Sequence, residues 1–286
     1  MKPNLPFVET MITQVCNISC LGCTNYSDIK HKGYVPWAKG RLDIKAWSEL
    51  VNINGFGIMG GEPMINPEWR QWVLGVREVL PNSELRFTTN GLLLQDAKEI
   101  LDIMTSVGNI VFKITVHVEN QQLEDIIKQV FALTKWNPVV EYGISRWLGP
   151  NDVRFQINRP QTFVKSYQGT YQDMKPWDSD PAEAFSICCQ QTCPLLYQGR
   201  IYKCSTSALL QDTLERFGNP NLLQWETYIP KGIGIDSSTQ EIDDFCLKFG
   251  QSESICGQCP APGQSTVSHL ATVNFKSIKI QHPTVS

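Results

Sequence analysis

The sequence predicts an α/β fold: a parallel sheet faced by helices, followed by a small cysteine-rich unit. Three observations carry that expectation. Strand-like and helix-like stretches alternate through short connections from Phe7 to Ile157, the pattern of a parallel sheet with helices packed on its faces. The segments that bear chemistry stand where successive strands end, the working face of such folds. Seven of the ten cysteines lie beyond position 187, where the alternation has stopped.

Taken in order, Phe7 to Val15 is rich in Val, Ile and Thr and reads as the first strand. It runs into a loop holding Cys16, Cys20 and Cys23. Asp43 to Asn52 reads as a helix, with Ile44, Trp47, Leu50 and Val51 at helical spacing. Gly55 to Met59 is a short buried strand ending at Gly60-Gly61-Glu62-Pro63. Pro67 suits the first turn of the next helix, whose apolar face carries Trp69, Trp72, Val73 and Val76. Glu84 to Thr88 is the third strand and ends in Thr89-Asn90-Gly91. A helix over Gln95 to Ser106, a fourth strand over Asn109 to Val116 and a helix over Gln121 to Leu133 follow. Val139 to Ile144 is the expected fifth strand and Asp152 to Ile157 the candidate for a sixth. Periodicity is lost from Pro160 to Pro181, where Tyr167, Tyr171 and Trp177 stand among polar residues, so this stretch reads as a connector. The last segment, Gly263 to Ser286, has one β-like run, Thr272 to Ile280.

The 286 residues suit one large domain with a small one behind it. Formal net charge is -3 and no long Lys/Arg run appears, which argues against nucleic acid or a membrane surface as partner. No apolar stretch approaches the ~18 residues a membrane helix needs. Met1 to Phe7 lacks the basic and apolar parts of a secretory signal. Ten cysteines would suggest disulfides in a secreted chain. Their bunching at metal-like spacings points instead to iron–sulfur clusters in a reducing cytoplasm.

Cys16-Asn-Ile-Ser-Cys20-Leu-Gly-Cys23 is a C-x3-C-x2-C array. Three thiols are one too few for a closed zinc site or a fully ligated iron–sulfur cluster, so one metal position is left for another group. A zinc knuckle completed by His31 is the rival reading. Downstream, the Gly-Gly-Glu-Pro turn offers backbone that a ligand can approach closely and, at Glu62, a carboxylate that can accept from an ammonium group.

Together these motifs resemble those of the radical S-adenosylmethionine (SAM) enzymes. The resemblance implies a partial (β/α)6 barrel. It also implies that Cys16, Cys20 and Cys23 hold a [4Fe-4S] cluster whose fourth iron is chelated by SAM. Electron transfer from the cluster would then split SAM into methionine and a 5′-deoxyadenosyl radical. Gly60, Gly61, Glu62 and Pro63 would grip the SAM amino group, with Asn90 and Thr115 as further SAM contacts. Asn90-Gly91 also reads as a plain turn, and Thr115 and His117 as barrel-lining polar residues. The sequence departs from most of the family at Gly22, where an aromatic residue usually precedes the third cysteine; adenine contacts then fall to the backbone or to Tyr26.

The second cysteine set is Cys188, Cys189, Cys193, Cys204, Cys246, Cys256 and Cys259. Cys193 to Cys204 reads as a hairpin around Gly199, and Cys256-Gly-Gln-Cys259 as a knuckle for two corners of a metal centre. This arrangement resembles the Twitch domain, the shorter relative of SPASM, which implies one auxiliary [4Fe-4S] cluster. Cys204, Cys256 and Cys259 then supply three ligands, and Cys188, Cys189 and Cys193 compete for the fourth place. A structural zinc ribbon is the alternative. Cys246 follows Ile242 and Phe245 on an expected helix and reads as a core thiol.

The organisation expected is a radical SAM barrel over 1–184, a Twitch-like unit over 185–262 and a tail over 263–286. The function implied is reductive SAM cleavage and hydrogen-atom abstraction from a small-molecule or peptide substrate. The auxiliary cluster would relay an electron, and flavodoxin or ferredoxin would serve as donor. RNA modification by the same chemistry and a non-catalytic zinc-stabilised module are the rivals.

Overall fold

The structure is a computed structural model that describes residues 2–134, 137–141, 144–149, 151–265, 267–268 and 271–273. Its centre is a run of parallel strands: β1 (Val8–Met11), β2 (Gly55–Met59), β3 (Glu84–Thr89), β4 (Ile110–Thr115) and β5 (Arg154–Asn158), paired in that order. A sixth parallel strand, β6 (Leu195–Tyr197), adds to the other side of β1 through Leu195↔Glu9 and Leu196↔Thr10. β7 (Arg200–Tyr202) returns antiparallel to it. This is the α/β, parallel-dominated sheet of a partial barrel, as the sequence predicted.

The fifth parallel strand is not the expected one. Asn137–Glu141 pairs antiparallel with Ile144–Leu148, and that hairpin continues the sheet beyond β5 at its edge. Positions 142 and 143 of the expected strand lie outside the described residues. Val139 and Val140 carry strand propensity, but propensity does not say which way a strand runs, nor which neighbour it takes. The candidate sixth strand therefore moves into fifth place, and the cysteine hairpin supplies the sixth.

Helices α1 (Trp37–Leu50), α2 (Trp69–Val79), α3 (Ala97–Val107) and α4 (Gln121–Thr134) cover one face of the sheet. Alternation along the strands sends Val8, Phe56, Ile58, Leu85, Phe87, Phe112, Ile114 and Phe155 into this layer. α1 begins at Trp37, six residues before the expected start. Gly40, within this longer helix, is there for packing: a Cβ would lie 1.8 Å from the ring of Trp72, and one at Gly75 2.2 Å from Trp37. The two helices exchange glycine for tryptophan across their contact. The Glu68 carboxylate accepts from the Trp37 N–H at 2.6 Å and caps the new end.

A second core forms on the opposite face. Met11 and Met59 from the strand ends meet Tyr26, Tyr167, Met174, Leu195, Leu209, Leu214 and Trp225. The C-terminal part thus packs onto the barrel and shares its sheet. Its own pieces are α5 (Pro181–Ser186), short helices at Ser205–Ala208 and Leu210–Phe217, a helix over Thr239–Leu247, and a 3-10 turn at Ser254–Gln258. Cys246 lies on the Thr239–Leu247 helix, half-buried against the first core. Of the expected Thr272–Ile280 run, residues 272 and 273 are described, within Ala271–Val273; the rest lies outside the described residues. That short strand pairs antiparallel with Ile18–Cys20 inside the cysteine loop.

Candidate functional site: two cysteine sets at the mouth of the sheet

The ends of β1, β2 and β3 meet at one place, and hydrogen bonds lock them there. The Gly61 N–H donates to the Thr13 carbonyl and the Glu62 N–H to the Val15 carbonyl, both at 2.8 Å. The Gly-Gly-Glu-Pro turn thereby extends the parallel ladder one step past β1. This explains the glycines. A Cβ at Gly60 would lie 2.5 Å from the Thr13 oxygen, and one at Gly61 2.5 Å from that of Val15. The close approach they permit is to the chain entering the cysteine loop.

Glu62 is fully buried, and its carboxylate is spent inside the protein. Oε1 accepts from the Thr89 hydroxyl at 2.7 Å and the Met64 N–H at 3.0 Å, and Oε2 from the Asn90 N–H at 2.7 Å. Three of roughly four acceptor positions are filled. Burial pushes its pKa up to about 7, against the pull of those three donors. Glu62 therefore braces the turn against the end of β3. Pro63 opens the short 3-10 turn that follows. Asn90 continues the chain of contacts: its amide nitrogen donates to Asn17 Oδ1 at 2.6 Å and lies 3.9 Å from the Cys16 sulfur. Thr115 ends β4, half-buried and paired in register with Asn158.

Within the loop, the Cys23 N–H bonds to the Cys20 carbonyl and the Tyr26 N–H to the Cys23 carbonyl. Burial, with the Glu62 carboxylate and the other two thiols, holds the Cys16 pKa far above its ordinary value. Burial and the Cys23 thiol push Cys20 up to about 12. Burial and Asp28 push Cys23 to about 11. Soft thiols crowded in a poorly solvated loop fit a cationic iron–sulfur core, which stabilises the thiolates that crowding disfavours. Among the described residues no group of three Cys, His, Asp or Glu side chains forms a ready-made metal site. What the fold supplies is the donors, in electrostatic reach of one another.

His31 takes no place among them. Its Nε2 lies 2.9 Å from the Tyr26 carbonyl and its Nδ1 3.1 Å from the Arg216 guanidinium. Tyr26 is also committed: it is wholly buried against Tyr167 and Tyr171, with ring centroids 6.1 Å from each. It presents no face to a nucleotide. Gly22 has φ +78°, and a Cβ there would stand 3.2 Å from Val267. An aromatic residue at 22 would be strained and crowded, which accounts for the glycine.

The second set divides in two. Cys188 is pushed up to about 12 by burial and then by Cys204, opposed by the Gln190 N–H; Cys189 and Cys256 add smaller contributions. Cys259 is raised by burial, then by Cys204, Cys188, Cys256 and Cys189. Cys188, Cys189, Cys204 and Cys256 thus all lie within electrostatic reach of Cys259. Cys193 looks elsewhere: after burial, the groups acting on it are Glu9, Arg86 and Lys113 on the inner face of the sheet, together with Cys189. Register extended from Leu195↔Tyr202 sets Cys193 across from Cys204, as the sequence implied, but their side chains serve different surroundings.

Sequence reasoning missed the clamp between the two sets. Gln190 Nε2 donates to the Thr24 hydroxyl at 3.0 Å and to the Ser205 hydroxyl at 2.6 Å. The Thr206 hydroxyl donates to the Thr24 carbonyl at 3.2 Å. Thr24 follows Cys23, Gln190 follows Cys189, and Ser205 follows Cys204. Adjacency to the cysteines was the one signal available, since Ser, Thr and Gln are ordinary residues anywhere else.

Comparison with known proteins agrees with this geometry. Residues 10–134 match the family described as the Radical SAM superfamily. No curated protein sequence matches the chain. The crystal structure of BtrN in complex with AdoMet and 2-DOIA aligns with a TM-score of 0.54 at 14% identity, covering 92% of this chain and 95% of that one. That likeness is one of fold. Streptococcus suis SuiB bound to precursor peptide SuiA aligns with a TM-score of 0.34 at 16% identity over 40% of this chain. The match spans 25% of the length of SuiB.

Proposed function

We propose, from the radical SAM domain at residues 10–134, that the chain is a SAM-dependent radical enzyme acting on a small-molecule or peptide substrate. The observation that carries this reading is the hydrogen-bonded junction of the cysteine loop with the Gly-Gly-Glu-Pro turn and Asn90 at the ends of three parallel strands. The family implies a [4Fe-4S] cluster and SAM, which together supply one-electron cleavage of SAM and hydrogen-atom abstraction from the substrate. Cys16, Cys20 and Cys23 would hold that cluster. Glu62 holds the turn rigid, so that the backbone carbonyls beside it are preorganised acceptors for an ammonium group. Asn90 fixes Asn17 and with it the first cysteine.

We further propose a second cluster on Cys188, Cys204, Cys256 and Cys259, in the manner of a Twitch domain. The support is that Cys204, Cys188 and Cys256 all lie within electrostatic reach of Cys259. Four thiols close such a cluster, which suits electron relay to or from a substrate radical better than substrate ligation. No helix among the described residues is long and apolar enough to cross a membrane.

The test is anaerobic reconstitution with iron and sulfide, followed by SAM and dithionite, with 5′-deoxyadenosine as readout. Formation of 5′-deoxyadenosine is expected in the wild type and not after joint replacement of Cys16, Cys20 and Cys23 by Ala. The triple variant should keep about half the iron, on the four remaining thiolates. A colourless, zinc-loaded protein that leaves SAM intact overturns the reading.

A further inference from the structure

The inner face of the sheet, turned away from the helices, carries charge. Glu9, Gly57 and Arg86 are register partners on β1, β2 and β3. Lys113 stands on β4 beside Thr88, two residues nearer the strand ends than Arg86. Some of these charges are satisfied within the protein. Glu84 pairs with Arg154 at 2.7 Å and with Arg86 at 3.6 Å, and the Arg86 guanidinium lies 4.6 Å over the Phe7 ring.

The Glu9 carboxylate and the Lys113 ammonium differ. Both are half-buried, and neither has a side-chain hydrogen bond or an ion pair among the described residues. They feel each other without touching. Burial raises Glu9 to about 7, opposed by Arg86 and Lys113. Burial lowers Lys113, helped by Arg86 and opposed by Cys193 and Glu9. Their strands are three spacings apart, about 14 Å along the sheet, a gap the two long side chains shorten. Gly57 keeps the space beside Glu9 clear, since a Cβ there would lie 2.7 Å from the Glu9 Cβ.

Partly desolvated charges without partners are costly, and a ligand that brings both opposite charges relieves both poles at once. We propose that Glu9 and Lys113 are the two poles of a substrate subsite for a zwitterion, with an ammonium group held at Glu9 and a carboxylate held at Lys113. The substrate class is a small molecule carrying both groups several bonds apart. Discrimination follows from the same physics: a ligand with a single charge leaves the other pole unpaired. The inference rests on the radical SAM reading for its place in catalysis, because the row lies just below the strand ends that carry the cysteine loop.

The test is calorimetry on the anaerobically reconstituted full chain in the presence of SAM. The probes are β-alanine, 4-aminobutyrate and 6-aminohexanoate, with butylamine and butyrate as single-charge controls. At least one ω-amino acid is expected to bind about tenfold tighter than either control, a gap of about 1.4 kcal/mol. Glu9→Gln should remove that advantage over butyrate, and Lys113→Met the advantage over butylamine. If either variant fails to fold, Glu9→Asp is the substitute; its shorter arm should move the optimum toward the longer probe. Equal binding of the controls, no binding of any ω-amino acid, or unchanged discrimination in the variants overturns the zwitterion subsite. SAM titrated into the same samples keeps the two ideas apart. Bound SAM without probe discrimination sinks the subsite alone, whereas a wild type that fails to bind SAM sinks the radical SAM reading.

Discussion

Gly61→Ala tests whether the Gly-Gly turn serves the ligand or the chain. A Cβ at 61 would lie 2.5 Å from the Val15 carbonyl oxygen and 2.7 Å from that of Gln14. Both obstacles are backbone, so no rotamer change relieves them, and the turn must retreat by about 1 Å to restore ordinary contact. That movement stretches the Gly61–Thr13 and Glu62–Val15 hydrogen bonds, each 2.8 Å. Overpacking costs about 1–3 kcal/mol and the two bonds about 1 kcal/mol each, so the loss should be about 3–5 kcal/mol. Urea unfolding of the reconstituted chain measures it, with iron content read on the same samples. The expected outcome is a large loss of stability with SAM binding and N-terminal iron falling together. Gly33→Ala is the control: nothing lies within 4 Å and φ is +83°, so only the left-handed strain of about 1–2 kcal/mol applies. A Gly61→Ala protein as stable as wild type, with full iron and weakened SAM binding, would refute the argument and return the glycine to ligand approach.

Two further outcomes are expected. Burial raises the Glu9 carboxyl from 4.5 to about 7, so between those values the native chain keeps a proton that the unfolded chain releases. The stability this confers is complete below the unfolded value and lost as pH rises through 7, with a slope of at most about 1.4 kcal/mol per pH unit. Glu9→Gln should flatten the stability profile from pH 5 to 7, and a profile parallel to wild type would count against the buried carboxyl. Among the C-terminal cysteines, Cys188→Ala should lose the iron of the second set, whereas Cys193→Ala should keep it and its paramagnetic signal. The reverse pattern would hand the fourth ligand position to Cys193.

The first four parallel strands were legible as short apolar runs, as at Gly55 to Met59 before Gly60-Gly61, whereas the fifth place was given to the Val139 to Ile144 run, part of which pairs antiparallel at the edge. The cysteine loop and the turn were legible as spacing. What the sequence hid was the partner of each group. Nothing local tells Glu62 whether its carboxylate meets a ligand or Thr89 and Asn90, because those donors lie on another strand. Nothing local tells Cys193 that its side chain looks toward Glu9 rather than Cys204. Nothing local tells Gly40 that it lies inside α1, because the tryptophan that needs its bare Cα, Trp72, sits thirty-two residues away on α2. In each case the deciding contact is long-range, while propensity and periodicity describe only neighbours along the chain.

The same kind of contact ties the two cysteine sets together. The hairpin strand β6 is hydrogen-bonded in parallel to β1, the strand that delivers the first set. Thr10 on β1 donates its hydroxyl to the Leu196 carbonyl at 3.0 Å, so the junction is closed by side chain as well as backbone. Thr24, directly after Cys23, is held by Gln190, Ser205 and Thr206 from the second set. The Ala271–Val273 strand lies along Ile18–Cys20 and joins the far end of the chain to the same loop. Moving one set relative to the other would break strand pairing, open the core around Met11 and Met59 and strand buried polar groups together. A buried donor or acceptor left unpaired costs about 1–3 kcal/mol, so the Thr24–Gln190–Ser205 network alone resists such movement by several kcal/mol. The position of the second set relative to the first is therefore a property of the sheet, and it does not rest on the connector between residues 160 and 181.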